Sequence, residues 1–558
     1  MTAGRPVERR RAHDRGETMA SSVSGLVQRL VERIAAAEPV VATQLGMPEH
    51  AAELPDLSAP AIAAYVADAR RFLELLERAA ADASGDEAID AATAGQMARR
   101  VLRAFETRRV QDVRPGLYLD AAYGVLLLMI KEIGTPADRV AAMAGRLAAL
   151  PAVLEEGLAN LRGPLPAPFV AAALDDVPGV LELVSSAASR AAADLGHPGA
   201  LDEPARRAAE AVARFGDELR RRFSADATAE VAGGRELLVD ILAHEHLLDE
   251  TPEQIAAVGR AAAADTREAM RELAAGMGYE SVDAAVAAVQ SDHPSLDELL
   301  GSYRDALTAA RRFVVEHDLV TLAPGEELVV EPTPAALRAS LPFAAYDGAG
   351  PYDRQQRGFY WVTVPSDDLS AERLGRALAG HPFASMPTVG VHEAYPGHHT
   401  QFGRANRAAT LARRVAFIPD GGTLLIEGWA FYCEEMMETQ GFLAAPGVRL
   451  MRLNDQLWRA CRVVIDMELH LGHMTFDEAV DYLSSEAHID RPKAELEVRW
   501  YAAAPGYPMA YLVGKREIMR LADDFARRRS PSLKAFHDEL LEWGATTPAL
   551  IRRGMGLD

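Results

Sequence analysis

The sequence predicts a mainly α-helical fold, a large helical bundle around a deep cleft, with one small antiparallel β-sheet. Three observations predict this fold. Apolar residues recur at helical intervals through most of the first 315 residues, β-branched and aromatic runs are confined to about residues 318–366, and helical character then continues to the C-terminus. These patterns predict one helical domain over residues 23–558, with the sheet as a small insertion within it.

The helices of the N-terminal half are recognised by periodicity and by signals at their ends. Leu26, Leu30 and Ile34 recur at the spacing of one helix face. Residues 251–254, Thr-Pro-Glu-Gln, are typical of a helix start, because threonine caps the helix, proline fits its first turn and glutamine completes a capping box. We expect this helix to end near the glycines of residues 276–278.

Three short β-branched and aromatic runs, bounded by glycine and proline, predict the sheet. They are residues 318–322, 327–330 and 358–364. We expect them to form a small antiparallel sheet. We also expect the strand from Phe359 to Val364 to pair with an extended peptide by β-addition.

The composition excludes several classes of protein. A hydrophobic fraction of 49% with 25% charged residues is typical of a globular chain that buries a sizeable core. The net charge of −22, without a long basic block beyond the N-terminus, disfavours a nucleic-acid or anionic-membrane partner. The longest apolar run, residues 125–130, is too short to cross a bilayer.

The cysteines and the N-terminus predict a cytoplasmic protein. Cys433 and Cys461 form neither a metal-binding spacing nor a disulfide framework, as expected in a reducing compartment. Residues 1–22 contain Arg9 to Arg11 but no apolar core after them, so they do not have the form of a secretory signal. We predict a disordered tail here, with Met19 as an alternative start. The oligomeric state stays open, a homodimer included.

Residues 392–399, His-Glu-Ala-Tyr-Pro-Gly-His-His, concentrate metal-ligand chemistry more than any other segment. They have the form of the zinc-hydrolase motif His-Glu-x-x-His lengthened by two residues. In the shorter motif the two histidines leave one helix face and share a zinc ion, and the glutamate acts on the zinc-bound water. Here Pro396 takes the place of the second histidine and cannot bind a metal. A helix end with clustered histidines is the alternative interpretation, which the adjacent His-Glu pair disfavours.

Helical geometry limits which histidine can join His392. In an unbroken helix the sixth residue on points away from His392, and the seventh lies about 10 Å along the axis. Ligands that lie about 2 Å from one zinc ion tolerate neither placement. The helix must therefore be distorted, and Pro396-Gly397 is a sequence that distorts helices. We predict His398 as the second ligand, with His399 as the alternative.

Glu427 is the candidate third ligand. It lies within an otherwise apolar run, where an unpaired carboxylate would be costly. Glu434 and Glu435 are followed by more polar sequence, and we expect them to be partly solvated. Three protein ligands leave the fourth position of one Zn²⁺ ion for water, as a catalytic zinc requires. The zinc-site core is then about residues 385–515.

Residues 392–399, together with Glu427-Gly428-Trp429-Ala430, resemble a widespread bacterial family catalogued as a domain of unknown function. The fold of that family is similar to that of the Taq-type thermostable carboxypeptidases, helical gluzincins in which two histidines and a glutamate bind zinc. The pair Gly397-His398 resembles the Gly-His that closes the shorter motif of those carboxypeptidases, and dipeptidyl peptidase III has one extra residue before its Gly-His. The resemblance extends from about residue 23 to the C-terminus and is most specific between His392 and Lys515. It implies a zinc hydrolase without indicating a substrate.

Asp466 and His470 also match the family and are candidates for supporting roles. They are four residues apart on a predicted helix, so they can face the same space. Asp466 is a candidate second-layer carboxylate, and His470 a candidate catalytic residue that orients substrate or stabilises the oxyanion. Incidental polar pairs on a surface helix are the alternative.

Residues near the C-terminus are candidates for oxyanion stabilisation and substrate binding. A tyrosine hydroxyl suits the donor that amide hydrolysis needs, and Tyr511 is the first choice, with Tyr507 second. Arg499 or Lys515 could bind a substrate carboxylate, and Tyr507 joins them as a substrate-binding candidate. A structural ion pair is the alternative for both basic residues.

His244-Glu245-His246 is a second His-Glu segment, which we interpret as structural. Residues two apart on a helix do not face one ion.

The sequence thus predicts a zinc metallopeptidase-like hydrolase of peptide or amide bonds, carboxypeptidase-like by its resemblance. Glu393 is the predicted general base, which takes a proton from the zinc-activated water and returns it to the leaving amine. The expected partner is a peptide or small amide, and cleavage from the C-terminus, from the N-terminus or within the chain stays open. The alternatives are a zinc hydrolase of a non-peptide amide metabolite, a catalytically inactive metal-binding or interaction protein, and a helical scaffold without metal.

Overall fold

The computed structural model describes residues 22–224, 227, 228, 230–334, 338, 344–366 and 369–558. Helices predominate in these residues, which confirms the predicted mainly helical class. Residues 1–21 of the predicted N-terminal tail, Met19 among them, lie outside the described residues. None of the described helices combines the length and apolarity needed to span a bilayer.

Helices occupy most of the chain before the sheet. Their bounds are α1 (Val23–Ala37), α2 (Pro39–Gln44), α3 (Ala59–Asp82), α4 (Gly85–Leu102), α5 (Val110–Val113), α6 (Gly116–Leu119), α7 (Tyr123–Ile130), α8 (Pro136–Asn160), α9 (Ala167–Glu182), α10 (Ala188–Asp194), α11 (Asp202–Phe223), α12 (Arg235–Asp240), α13 (Pro252–Gly276), α14 (Val282–Gln290) and α15 (Leu299–Glu316). Short π-helical turns follow α4, α9 and α12 at Arg103–Thr107, Leu183–Ala187 and Ile241–His246, and a 3₁₀ turn spans Asp120–Ala122.

Helices resume after the sheet and carry most of the candidate site residues. Their bounds are α16 (Ala371–Leu378), α17 (Met386–Glu393), α18 (His398–Ala405), α19 (Leu411–Arg414), α20 (Thr423–Thr439), α21 (Pro446–His470), α22 (Phe476–Glu486), α23 (Arg491–Ala503), α24 (Ala510–Arg528), α25 (Leu533–Leu541) and α26 (Pro548–Gly554).

Local capping explains where α13 begins and ends. The predicted capping box of α13 is present, since Thr251 and Gln254 each accept a hydrogen bond from the other's backbone N–H. The helix ends at Gly276, and Gly278 adopts a left-handed conformation with φ of 88°.

The sheet has three strands and is mixed rather than antiparallel. The strands are β1 (Glu327–Pro332), β2 (Ala344–Asp347) and β3 (Arg357–Val362), in the order β1-β3-β2. β3 pairs antiparallel with β2 and parallel with β1. The predicted antiparallel topology is wrong because β2, the middle strand in sequence, lies at the edge and leaves β1 beside β3 in the same direction.

Two further predictions about this region are wrong. Residues 318–322 form no strand: the backbone N–H and hydroxyl of Thr321 donate to the Asp538 carboxylate at 2.8 and 2.7 Å, which replaces pairing within a sheet. The strand at Phe359 offers no free edge for β-addition, because β3 is the central strand and Phe359 pairs with Val329 on one side and Asp347 on the other.

Close backbone packing of α20 against α24 sets the position of the site. A Cβ atom on Gly428 would lie 2.5 Å from the carbonyl carbon of Gly514, and one on Gly514 would lie 2.0 Å from the carbonyl oxygen of Leu424. Any side chain at either glycine would force the helices apart. Glu427 of α20 and Tyr511 of α24 are therefore held on adjoining walls of one cavity.

Candidate metal centre

The helix break in the His-Glu motif turns the chain back over the end of α17. α17 ends at Glu393 and α18 begins at His398. A Cβ atom on Gly397 would lie 1.8 Å from the carbonyl oxygen of His392, so only glycine allows this close approach. The indole N–H of Trp429 donates to the Pro396 carbonyl at 2.9 Å and so attaches the break to α20. The break thus brings His398 next to His392, with ring centroids 4.9 Å apart.

Three predicted ligands meet at this break. Ligand atoms of His392, His398 and Glu427 all lie within 4.8 Å of one another, and all three residues are buried. Glu427 Oε2 lies 3.6 Å from His392 Nε2 and 3.5 Å from His398 Nε2. We call these three residues the metal cluster.

The metal cluster fits a zinc ion. Glu427 Oε2 is buried and accepts no hydrogen bond from any residue in the described part of the chain. A buried carboxylate oxygen without a partner is costly, and a cation between the three side chains would remove that cost. Two imidazoles and a carboxylate are also the ligand set of many catalytic zinc sites.

Charges around the cluster favour a cation at its centre. Burial acts to lower the pKa of His392, but its contacts with Glu427 and Glu434 outweigh this effect and raise the pKa to about 10. Burial acts to raise the pKa of Glu427, yet its contacts with His392 and His398 hold it well below the usual value. The carboxylates that stabilise a proton on the His392 ring would equally stabilise a metal ion.

Glu434 supports the cluster, contrary to the expectation that it is partly solvated. Its Oε1 lies 2.8 Å from His392 Nδ1, and the residue is only 1% exposed. A carboxylate on Nδ1 keeps the proton on that nitrogen and leaves Nε2 to face the cluster. Glu434 follows Glu427 by seven residues, or about two helical turns, and so lies on the same face of α20. This spacing was the sequence signal that could have identified it.

Tyr507 and Asp466 support Glu427 from the other side. The Tyr507 hydroxyl donates to Glu427 Oε1 at 2.6 Å. Tyr507 also lines the cavity beside the cluster, so its predicted role in binding substrate stays a prediction. Asp466 accepts hydrogen bonds from the backbone N–H groups of Gly506 and Met509, at 3.0 and 3.1 Å, and thereby holds the turn that carries Tyr507.

A cavity of about 980 Å³ opens onto the cluster. Glu393 and Tyr511 line it together with the three cluster residues. The Tyr511 ring stacks on the His392 ring, with centroids 6.2 Å apart and planes inclined by 16°. Two arginines that the sequence interpretation missed, Arg459 and Arg462, also line the cavity beside Tyr511. They lie on α21, whose mixed polar sequence gave no sign that this face meets the cavity.

Three residues predicted to act in catalysis or substrate binding, His470, Arg499 and Lys515, do not line the cavity. His470 uses both ring nitrogens on backbone groups, Nδ1 on the Gly233 N–H at 3.1 Å and Nε2 on the Tyr501 carbonyl at 3.2 Å. These contacts indicate a structural role in place of the predicted catalytic one.

The predicted substrate-binding residues Arg499 and Lys515 are also used elsewhere. Arg499 pairs with Asp175 and Glu495, and the buried Lys515 pairs with Glu435. Neither belongs to the cavity wall. Both residues thus form ion pairs within the fold, as in the alternative interpretation drawn from the sequence.

His399 lies outside the metal cluster. Its Nε2 lies 2.7 Å from Glu326 Oε2, and its Nδ1 lies 3.2 Å from the Tyr346 hydroxyl. Both ring nitrogens therefore have partners away from Glu427.

The second His-Glu segment belongs to a buried ion-pair network in the wall of the same cavity. Glu245 is bound by Arg100 at 2.8 Å and by Arg103 at 3.3 Å, and His246 Nε2 lies 3.0 Å from the Gly506 carbonyl oxygen. We call Arg100, Arg103, Glu245 and His246 the arginine cluster. Its contacts agree with the structural interpretation of this segment.

Comparisons with known proteins place the chain in a family of bacterial proteins of unknown function. The family profile described as "Bacterial protein of unknown function (DUF885)" matches residues 39–555. A candidate lipoprotein of unknown function from Shewanella oneidensis has a similar solved structure, with 21% identity, 96% of this chain and 99% of that chain covered, and a TM-score of 0.77. A candidate lipoprotein from Colwellia psychrerythraea is similar, with 18% identity, 96% and 98% coverage, and a TM-score of 0.77.

Both solved structures share the fold of this chain. No curated protein matches it. The predicted resemblance to Taq-type carboxypeptidases and the predicted cytoplasmic location both stay predictions.

Proposed function

The chain belongs to the DUF885 family of bacterial proteins of unknown function, and for it we propose a zinc-dependent hydrolase of peptide or amide bonds. One observation carries the proposal. Two buried histidines and a buried glutamate converge at the wall of a large cavity, and a second glutamate lies directly beside them on that wall.

His392, His398 and Glu427 are the residues that would hold the ion. A zinc ion bound there supplies a Lewis acid that polarises the scissile carbonyl and acidifies the attacking water. Glu434 and Tyr507 orient the ligands, because each is hydrogen-bonded to the atom of a ligand residue that would not bind the ion. Glu434 is bonded to Nδ1 of His392, and Tyr507 to Oε1 of Glu427.

Glu393 is the general base of the proposed reaction. It follows His392 in sequence, is half-buried and lines the cavity. Its carboxylate has no hydrogen-bonding partner among the residues that the structure describes, and so is free to take the proton of a water molecule. The same carboxyl group then returns the proton to the leaving amine.

Tyr511 is the donor to the oxyanion. Burial, and then the negative charge of Glu427, raise the pKa of Tyr511 well above its usual value. The phenol therefore keeps its proton at physiological pH and can donate it in a hydrogen bond to the carbonyl oxygen as negative charge develops there.

The cavity suits a substrate of a few residues. Its volume of about 980 Å³ lies at the upper end of the range of about 300–1,000 Å³ that is typical of ligand sites. A short peptide or a small amide is the substrate class that we propose, and carboxypeptidase-like cleavage is the mode that the resemblance to gluzincins implies.

Metal analysis combined with a peptide screen tests the proposal. The purified protein is expected to contain one zinc ion per chain, and mass spectrometry of a library of free and end-blocked peptides is expected to show cleavage. Glu393→Gln should keep its zinc and lose turnover by a factor of about 10²–10⁴. Glu372→Gln, on an exposed face of α16, is the matched control and should retain full activity. Full activity of Glu393→Gln, or a wild-type protein that binds no zinc, would contradict the proposal.

A further inference from the structure

The last histidine of the motif belongs to a second, fully bonded network next to the metal cluster. Glu326 Oε2 accepts hydrogen bonds from His399 Nε2 and from the Tyr395 hydroxyl, both at 2.7 Å. Arg311 binds the other carboxylate oxygen of Glu326 at 3.1 Å. The Tyr346 hydroxyl is the last member of the network and lies 3.2 Å from His399 Nδ1. A polar network in which each member is bonded holds its side chains in one arrangement.

The carboxylate determines which way the hydrogen bonds run. An ionised Glu326 only accepts, so His399 carries its proton on Nε2. In this tautomer Nδ1 is an acceptor, and the Tyr346 hydroxyl donates a hydrogen bond to it. None of the residues that the structure describes donates a hydrogen bond to the Tyr346 oxygen, so its lone pairs can accept one from a group outside the network.

Tyr346 is the member of this network that reaches the cavity. It lines the same cavity as Glu393, whereas His399, Glu326 and Tyr395 lie behind the wall. Its ring packs against Gly358 of β3. A Cβ atom on Gly358 would lie 2.6 Å from Tyr346 Cε2 and 2.8 Å from His399 Nδ1. The absence of a side chain at Gly358 is what lets these two residues meet.

We propose that Tyr346 contacts the substrate, and that His399 and Glu326 are positioning residues that hold its hydroxyl group. The Tyr346 oxygen accepts a hydrogen bond from a backbone N–H of a bound peptide, on the wall formed by β2. This inference rests on the proposed hydrolase function, and it gives the second histidine of the His-His pair a role separate from metal binding. It also favours a peptide over an amide that lacks further N–H groups.

Calorimetric titration of the zinc-loaded, full-length protein with two probes tests the inference. Acetohydroxamic acid offers little beyond its metal-binding group, while the hydroxamate of N-acetyl-Ala-Ala-Ala adds peptide N–H groups. Tyr346→Phe should lower the affinity for the tripeptide hydroxamate about three- to tenfold, the loss expected for one hydrogen bond. Its affinity for acetohydroxamic acid should stay within about twofold of the wild-type value. His399→Ala should have the same effect, and His399→Asn, which returns an acceptor near the position of Nδ1, should recover part of the affinity.

Tyr395→Phe is the matched control, because it removes a hydroxyl from the same network without reaching the cavity. It should leave the affinity of both probes within about twofold. An equal loss in Tyr395→Phe would mean that disruption of the network, rather than a lost contact, weakens binding, and would overturn the inference. Unchanged tripeptide affinity in Tyr346→Phe would overturn it as well, as would a tripeptide probe that binds no more tightly than acetohydroxamic acid. Failure of zinc or acetohydroxamic acid to bind the wild-type protein would instead refute the hydrolase proposal itself.

Discussion

The fold places a glutamate beside histidines in both the arginine cluster and the metal cluster, and the two glutamates have opposite environments. In the arginine cluster, Glu245 has two guanidinium partners and His246 has a carbonyl partner. In the metal cluster, by contrast, Glu427 Oε2 is buried and accepts no hydrogen bond from the residues that the structure describes. The glutamates and histidines of both clusters are buried, so burial by itself does not distinguish a metal site.

The histidines of the two clusters show the same contrast. Burial, the largest effect, lowers the pKa of His246 to about 4, so this ring is neutral in the folded protein. The carboxylates around His392 outweigh its burial and raise its pKa to about 10. A buried carboxylate whose charged partners are imidazoles rather than guanidinium groups therefore marks the site that suits a metal ion.

Removing one histidine from each cluster should separate them most strongly. His392→Ala is expected to lose zinc entirely from the purified protein, because two protein ligands do not complete the site. His246→Ala is expected to retain one zinc ion per chain. Inductively coupled plasma mass spectrometry of both variants measures their zinc content. Retention of zinc by His392→Ala would contradict the assignment of the metal cluster as the zinc site.

A smaller effect is expected from the carboxylate behind His392. Glu434→Gln should weaken zinc binding by a factor of about 10–100, the usual cost of losing such a partner. Glu435→Gln, the neighbouring residue that pairs with Lys515 instead, should leave zinc affinity unchanged. Competition with a chromogenic chelator measures both, and equal affinities of the two variants would count against a supporting role for Glu434.

The smallest expected effect concerns pH and the arginine cluster. His246 has a pKa of about 4 when folded and about 6.5 when unfolded. The unfolded chain therefore binds the additional proton between these values, and the free energy of unfolding falls as the pH falls through this window. The His246 contribution that is lost between pH 7 and pH 5 should be about 1–2 kcal/mol.

Denaturant unfolding of wild type and His246→Gln at pH 7 and pH 5 measures that contribution. The amide of Gln can keep the bond to Gly506, so the variant should lose less stability than wild type between the two pH values. Equal losses would show that the ring of His246 is not buried in its neutral form.

Local sequence signals predicted part of the fold and of the site. Periodicity and capping gave the helical class and the bounds of α13, because these signals act between residues a few positions apart. The steric demands of Pro396 and Gly397 predicted the break, and the spacing then favoured His398, with His399 as the alternative. The structure places His398 beside His392. The isolation of Glu427 in an apolar run had a physical basis too, since a buried carboxylate needs a partner.

Only the tertiary structure decided which faces and strands meet. The approach of Gly428 to Gly514 places Tyr511 beside the cluster, and the position of β2 at the sheet edge brings Tyr346 to His399. The same packing directs His470, Arg499 and Lys515 to partners outside the cavity. Caps, breaks and ligand spacing depend on neighbours along the chain and can be predicted from it. The partner of a buried charge depends on which backbones pack together over long separations, and this is why the sequence left those residues open.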